Sequence, residues 1–175
     1  GVLSSVMDIS TKDGNKKHTS GKVAASTFGA NLLLEGPIIK NNDNRGYSMS
    51  YVLSAKNSYL SKTSTSLYSY MNKELPYDFM DLYGKLTLAT DNGSKLNLFA
   101  LNFTDKVNQY EAIADFGWEN RAFGANFLII PGANSSLIEG VLAYSDYTMN
   151  RSGSLTNLSQ MSNIGGFNVG MSVTN

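Results

Sequence analysis

The sequence predicts an all-β chain, an antiparallel up-and-down meander of the kind that walls outer-membrane barrels. Three observations predict it. Runs of about ten residues alternate apolar and polar side chains with period two, the pattern of strands with two different faces. The prolines Pro37, Pro76 and Pro131 stand beside turn residues, in Glu35-Gly36-Pro37, Glu74-Leu75-Pro76-Tyr77 and Ile130-Pro131-Gly132, where a missing N–H harms no ladder. The connections between runs alternate, tight at one end of the meander and mostly longer at the other, as in outer-membrane barrels.

In chain order, a separate short strand is expected over residues 2–10, followed by strands at 21–26 and 29–38. The clearest run covers 47–60, where Tyr47, Met49, Tyr51, Leu53 and Ala55 alternate with Ser48, Ser50, Ser54, Lys56 and Ser58, interrupted only by Val52. The next begins near Tyr77, with Met80, Leu82, Gly84, Leu86 and Leu88 on one face and Asp81, Tyr83, Lys85 and Thr87 on the other. It stops at Asp91-Asn92-Gly93-Ser94, and Asn-Gly is the strongest short hairpin signal. Strands at 95–104, 116–130, 137–149 and 161–173 complete a set of eight. The long connection 61–76 has room for a helix over 63–72.

Composition bounds the function. The 175 residues suit one domain, and 14 basic against 14 acidic side chains leave no net charge. Charged residues make up 16%, against about 25% in soluble domains, and neither sign dominates, so nucleic acid is a poor partner. With no cysteine, and His18 as the single histidine, thiol chemistry, disulfides and histidine-rich metal sites are excluded. No apolar stretch is long enough for a membrane-spanning helix, and no signal-peptide pattern opens the chain. The protein is therefore soluble or meets a membrane as strands. The opening Gly1-Val2-Leu3 reads as the interior of a longer chain.

Candidate chemistry is sparse. The glycines of residues 165–170 lack Gly-x-Gly-x-x-Gly spacing and a following helix, so they read as strand glycines facing a crowded partner, not as a phosphate cradle. Asp78 and Asp81 are three apart, which places them on opposite faces of a strand and prevents them acting as an acid/base pair. Glu139, in a run with apolar residues at both parities, reads as a wall residue directed into a polar lumen. His18, after Lys16 and Lys17, reads as an exposed linker residue. The sequons at Asn92, Asn102, Asn134, Asn150 and Asn157 are what a chain rich in Asn and Ser produces by chance. Tyrosines near strand ends suit the headgroup level of a bilayer, although β-propensity explains any single ring equally well; the loop pair Tyr68 and Tyr70 could also stack on sugar rings. No catalytic, cofactor-binding, metal-ligating or ligand-binding residue is assigned.

The opening segment, Gly1-Val2-Leu3-Ser4-Ser5-Val6-Met7-Asp8-Ile9-Ser10-Thr11, resembles the last plug strand of TonB-dependent outer-membrane receptors, with its Gly-Gly-x-Leu/Val-x-x-Val-x-x-Ile-x-Thr pattern. The stretches Leu32 to Ile38, Tyr51 to Leu60 and Leu75 to Leu86 are similar to the first barrel strands of the Bacteroidetes type of this family. The resemblance runs over the whole chain and rests on the order and spacing of loose motifs. It implies a division into the end of the plug with its linker, residues 1–18, and the first eight or so strands of a large transmembrane barrel, residues 19–175. It further implies an outer-membrane transporter, not an enzyme, that takes up a scarce nutrient without a cofactor. Such barrels have about 22 strands and a plugged lumen. The TonB complex would be the partner through plug residues not in this sequence, and outer-membrane lipid would surround the wall. Lys56-Asn57-Ser58-Tyr59 only partly matches a segment that is often basic in the family, so no ligand-binding residue is carried over. Two alternatives are a self-contained eight-stranded structural barrel and a soluble β-sandwich that binds glycans. Cut from a larger barrel, the fragment would self-associate through its unpaired strand edges.

Overall fold

The structure, a computed structural model, describes residues 11–40, 46–68, 70, 74–107, 115–132, 136–153 and 159–174. Eight strands follow one another: β1 (Ser20–Ala25), β2 (Gly29–Ile39), β3 (Tyr47–Ser58), β4 (Tyr77–Thr90), β5 (Lys95–Val107), β6 (Asp115–Ile129), β7 (Leu137–Ser152) and β8 (Ser159–Thr174), with one helix, α1 (Leu60–Leu67), between β3 and β4. They form a single sheet in the order of the sequence, and every neighbouring pair is antiparallel. This is the expected up-and-down meander. The strand expected over 2–10 lies outside the described residues.

Because side chains alternate along a strand and direct cross-strand partners share a face, the register sorts the molecule into two surfaces. One row runs Leu34, Leu53, Gly84, Ala100, Phe123, Tyr144, Phe167, and the next runs Tyr51, Leu86, Leu98, Ala125, Leu142, Val169. These rows lie on the outer face. On the opposite, inner face the rows read Glu35, Val52, Lys85, Phe99, Gly124, Ala143, Asn168 and Pro37, Ser50, Thr87, Asn97, Asn126, Val141, Gly170. The greasy side is the exposed one: Leu98 is 46%, Phe123 60% and Val169 73% accessible. Among the described residues the buried apolar side chains are Val52 and Ala89, both on the inner face.

The outer apolar band does not run the full length of the strands. On β7 it ends at Tyr144 and gives way to Asp146, Thr148 and Asn150; on β5 it ends at Ala100 and gives way to Asn102, Thr104 and Lys106. Asn163 Nδ2 donates to Asp146 Oδ2 (3.0 Å) and to Thr148 Oγ1 (2.8 Å), and Arg121 pairs with Glu119 (2.6 Å), so this upper belt is knit by polar contacts. At the boundary lies an aromatic row across three strands, with ring centroids 5.5 Å apart for Phe123–Tyr144 and 4.9 Å for Tyr144–Phe167. The strands overrun the sequence expectation at this end: β5 reaches Val107 instead of 104, β7 reaches Ser152 instead of 149, and β8 starts at Ser159 instead of 161. Above the band the outer faces of β5 and β7 are polar, although Met80 and Leu82 on β4 and Met161 on β8 are not, so on β5 and β7 the alternation that marks a strand in sequence fades while the backbone ladder continues.

The tight ends are set by backbone chemistry. In the β4–β5 turn Gly93 has φ +90, a region closed to most side chains, and its N–H donates to the Thr90 carbonyl (3.0 Å). Asn92 Nδ2 reaches the Ile130 carbonyl (3.1 Å), and Ile130 N donates to Ser94 Oγ (2.9 Å), tying this turn to the next one along the rim. Pro37 lies beyond the last β1–β2 pair, Ser20 with Glu35, and at a register shift against β3, so its missing N–H interrupts no ladder. Helix α1 starts earlier than the expected 63–72: Ser58 Oγ accepts the N–H of Leu60 (3.3 Å), and the Tyr59 carbonyl accepts those of Lys62 and Thr63, which holds the first turn directly after β3. Residues 69, 71 and 72 of that expected helix lie outside the described residues. Replacing Gly93 by Val is expected to cost about 1–2 kcal/mol through the left-handed backbone alone, read as a lowered midpoint of thermal unfolding in detergent, with Asn92→Ala costing less.

Candidate functional site

The inner face of β3 carries mostly small side chains: Ser48, Ser50, Ser54 and Ser58 share it with Val52 and with one long side chain, Lys56. This makes a shallow path, and residues 11–19 lie along it. Gly14 packs so closely on β3 that a Cβ there would collide with the Tyr51 carbonyl. The covered serines are correspondingly buried, Ser50 to 1% accessibility. The segment is also folded on itself, since Asn15 Oδ1 accepts the N–H groups of Lys17 (2.9 Å) and His18 (3.2 Å) while its amide donates to His18 Nε2 (3.0 Å).

Charge fixes the segment in place. The Asp13 carboxylate receives Lys85 on one oxygen (2.9 Å) and Lys95 on the other (2.7 Å). Lys85, only 7% accessible, donates also to the carbonyls of Thr11 (3.0 Å) and Lys12 (3.3 Å). A buried ammonium is tolerable only when its protons are all engaged, and here the docked segment supplies the acceptors. Tyr83 shares a hydrogen bond with Thr11 Oγ1 (2.7 Å), and Lys12 reaches Glu35 (2.9 Å), which also accepts from Ser20. Burial acts to raise the Asp13 carboxyl, but the hydrogen bonds from Lys95 and Lys85, together with their charges, outweigh it and hold the group below its ordinary value of 3.8.

Between Thr11–Asp13 and the inner faces of β3 to β6 lies a trough of about 1040 Å³. Lys12, Asp13, Lys56, Asp81, Lys85 and Lys95 supply its charge, and Phe99, Leu101 and Phe103 an apolar strip. Such a surface can bind and position a ligand or hold a neighbouring segment. No group of three or more His, Cys, Asp or Glu suited to a metal occurs among the described residues.

The residues weighed from sequence fall as follows. Asp81 faces the trough while Asp78, on the opposite parity of β4, accepts from Ser61 Oγ (2.8 Å), so the two carboxylates are separated by the sheet. Glu139 lies on the inner face, paired with Leu128 and Ser172, and borders a smaller cavity with Lys95. His18 is exposed. Of the glycines in 165–170, a Cβ at Gly165 would stand 3.0 Å from the Tyr144 hydroxyl and one at Gly170 3.2 Å from Val141 Cγ1, whereas Gly166 faces open space. The crowding expected for the whole cluster therefore holds at two of its glycines; β8 is an edge strand with a neighbour on one side only. Tyr51 and Tyr144 lie on the outer face, but Tyr83 and Tyr147 point inward.

Sequence reasoning missed the Asp13–Lys85–Lys95 cluster. Its members are separated by up to 82 positions, and no local periodicity links them. The one local signal was Lys85, placed on the wet face of an otherwise oily strand.

No known family model, curated protein or solved structure matches the chain, so its function is argued from the wall and the trough.

Since the folded Asp13 carboxyl is depressed, its contribution to docking is complete above the ordinary carboxylate range and is lost as pH falls through the lowered value. The chain has no cysteine, so Lys17→Cys accepts a single spin label. The label is expected to be immobile from neutral pH down to about 5 and to become mobile only below 3.8. Asp13→Ala should leave it mobile at every pH.

Proposed function

We propose that this chain is a section of the wall of an outer-membrane transporter of the TonB-dependent receptor type, with residues 1–18 as the end of the plug and its linker and residues 19–175 as the first strands of the barrel. The observation that carries the proposal is the exposed apolar band of the outer face, bounded by an aromatic row and a polar belt, opposite an inner face that is polar and holds residues 11–19. Lipid-facing bands about 25 Å tall, edged by aromatic girdles, are the pattern of transmembrane β-barrels. A water-soluble sheet with such a band would leave a large apolar surface uncovered. No helix among the described residues is long and apolar enough to cross a membrane, which says nothing about crossing by strands.

In this reading the segment 11–19 is the lead from plug to barrel, clamped to the wall by Asp13 and Lys85, and uptake is driven by the TonB complex acting on the plug. The cargo is a nutrient, carried without cofactor or catalysis. A self-closed eight-stranded barrel fits less well, because closure needs β1 to pair with β8 and the six residues of β1 cannot match the 16 of β8. A β-sandwich needs a second layer over the apolar rows, and the described strands form one sheet.

Substitution on the two faces tests the assignment. Leu142→Arg, in the middle of the outer band, is expected to lower the stability of the vesicle-inserted chain by about 2–4 kcal/mol, whereas Asn168→Arg on the inner face should change it by less than about 0.5 kcal/mol. The readout is urea unfolding in phospholipid vesicles. A chain that is folded and monomeric in plain buffer, and insensitive to both changes, would remove the membrane assignment. The edges give a second expectation: isolated copies should pair through β8, so that Asn168→Cys yields copy-to-copy crosslinks that Val23→Cys, on β1, does not form with itself.

A further inference from the structure

The inner face has a second, differently composed cavity at the loop end, about 500 Å³ in volume, above the level at which the outer band turns polar. The register arranges its floor as a checkerboard. One inner row reads Phe79, Asp105, Trp118, and the next reads Asp81, Phe103, Asn120, Tyr147. Flat apolar rings thus alternate in both directions with planar side chains that accept or donate hydrogen bonds. Elsewhere the same face is dominated by Ser, Asn, Gly and Ala, so the rings are concentrated here. Phe103 borders both this cavity and the trough where residues 11–13 are docked.

We propose that this cavity binds a neutral oligosaccharide, whose sugar rings stack on Phe103, Trp118 and Tyr147 while their hydroxyls bond to Asp105 and Asn120. This rests on the reading of the sheet as a transporter wall and names the class of cargo. Sugar rings offer an apolar C–H face and a rim of hydroxyls, which is the complement of rings interleaved with carboxylates and amides. Two carboxylates, Asp78 and Asp105, against one ammonium, Lys106, in the lining oppose an anionic ligand. A cationic ligand is disfavoured because the chain supplies its own cations there: Lys106 lines the cavity and Lys56 lies 5.0 Å from the Phe79 ring centroid. Asp105 and Asn120 form no side-chain hydrogen bond with the described residues, so they are available to a ligand.

Trp118 is the only tryptophan of the chain, so its emission reports on this cavity alone. The full chain in phospholipid vesicles is titrated with cellohexaose, maltohexaose and, as the cationic competitor, pentalysine. The expected result is a saturable emission change with at least one hexasaccharide, weakened about tenfold by Phe103→Ala and by less than about threefold by Asp105→Asn, which keeps a planar hydrogen-bonding group. Circular dichroism of each variant confirms that the sheet is intact. A response to pentalysine that Asp105→Asn abolishes, with none to either sugar, would overturn the proposal in favour of a cation site. Insertion into vesicles with no response to any probe would leave the wall and remove the site; sugar binding by a chain that stays outside vesicles would leave the site and remove the wall.

Discussion

A single sheet has no interior, and the requirement that each of its faces meet a suitable medium governs the rest of this molecule. The backbone ladder satisfies the peptide groups of all but the edge strands, so the side chains decide what touches each surface. On the outer face that choice is hydrocarbon-like over a limited height, and it changes to hydrogen-bonded polar groups at Arg121, Asp146 and Asn163. The inner face follows another rule. It carries small residues where residues 11–19 lie and larger rings where they do not.

The docked segment shows how a polar wall can bind its own chain tightly. Serines along β3 and the glycine at 14 let two backbones approach, and the approach brings carbonyl groups of Thr11 and Lys12 to the Lys85 ammonium. Neither feature suffices alone. Without the close approach the lysine would be buried without acceptors, and without the lysine and Asp13 the path would offer little beyond van der Waals contact. A lowered carboxyl at Asp13 is the electrostatic record of that arrangement.

Much of the fold was legible because lipid-like and watery faces impose period two. The outer and inner faces of β3, β4 and β8 were assigned residue by residue from alternation, and the Asn92-Gly93 turn from its dipeptide. Legibility failed where the two faces became alike. The upper parts of β5 and β7 are polar on the outside, so their last residues read as loop although they are paired. It failed also for α1, whose start depends on Ser58 and Tyr59 belonging to the preceding strand. The inward turn of Tyr147 was hidden because a tyrosine suits either a headgroup belt or a lumen.

The amino-acid order by itself determined that the chain forms strands, how many, in which sequence they pair and which side of β3, β4 and β8 is oily, because these follow from alternation and turn residues within a few positions. Only the folded sheet decided which distant residues meet. The pairing register brings Asp13 to Lys85 and Lys95, and sets Asp105 and Asn120 among the rings of Phe79, Phe103 and Trp118. A shift of a single residue in any ladder would exchange the faces and dissolve both groupings, so their existence is a property of the assembled wall and of no single segment.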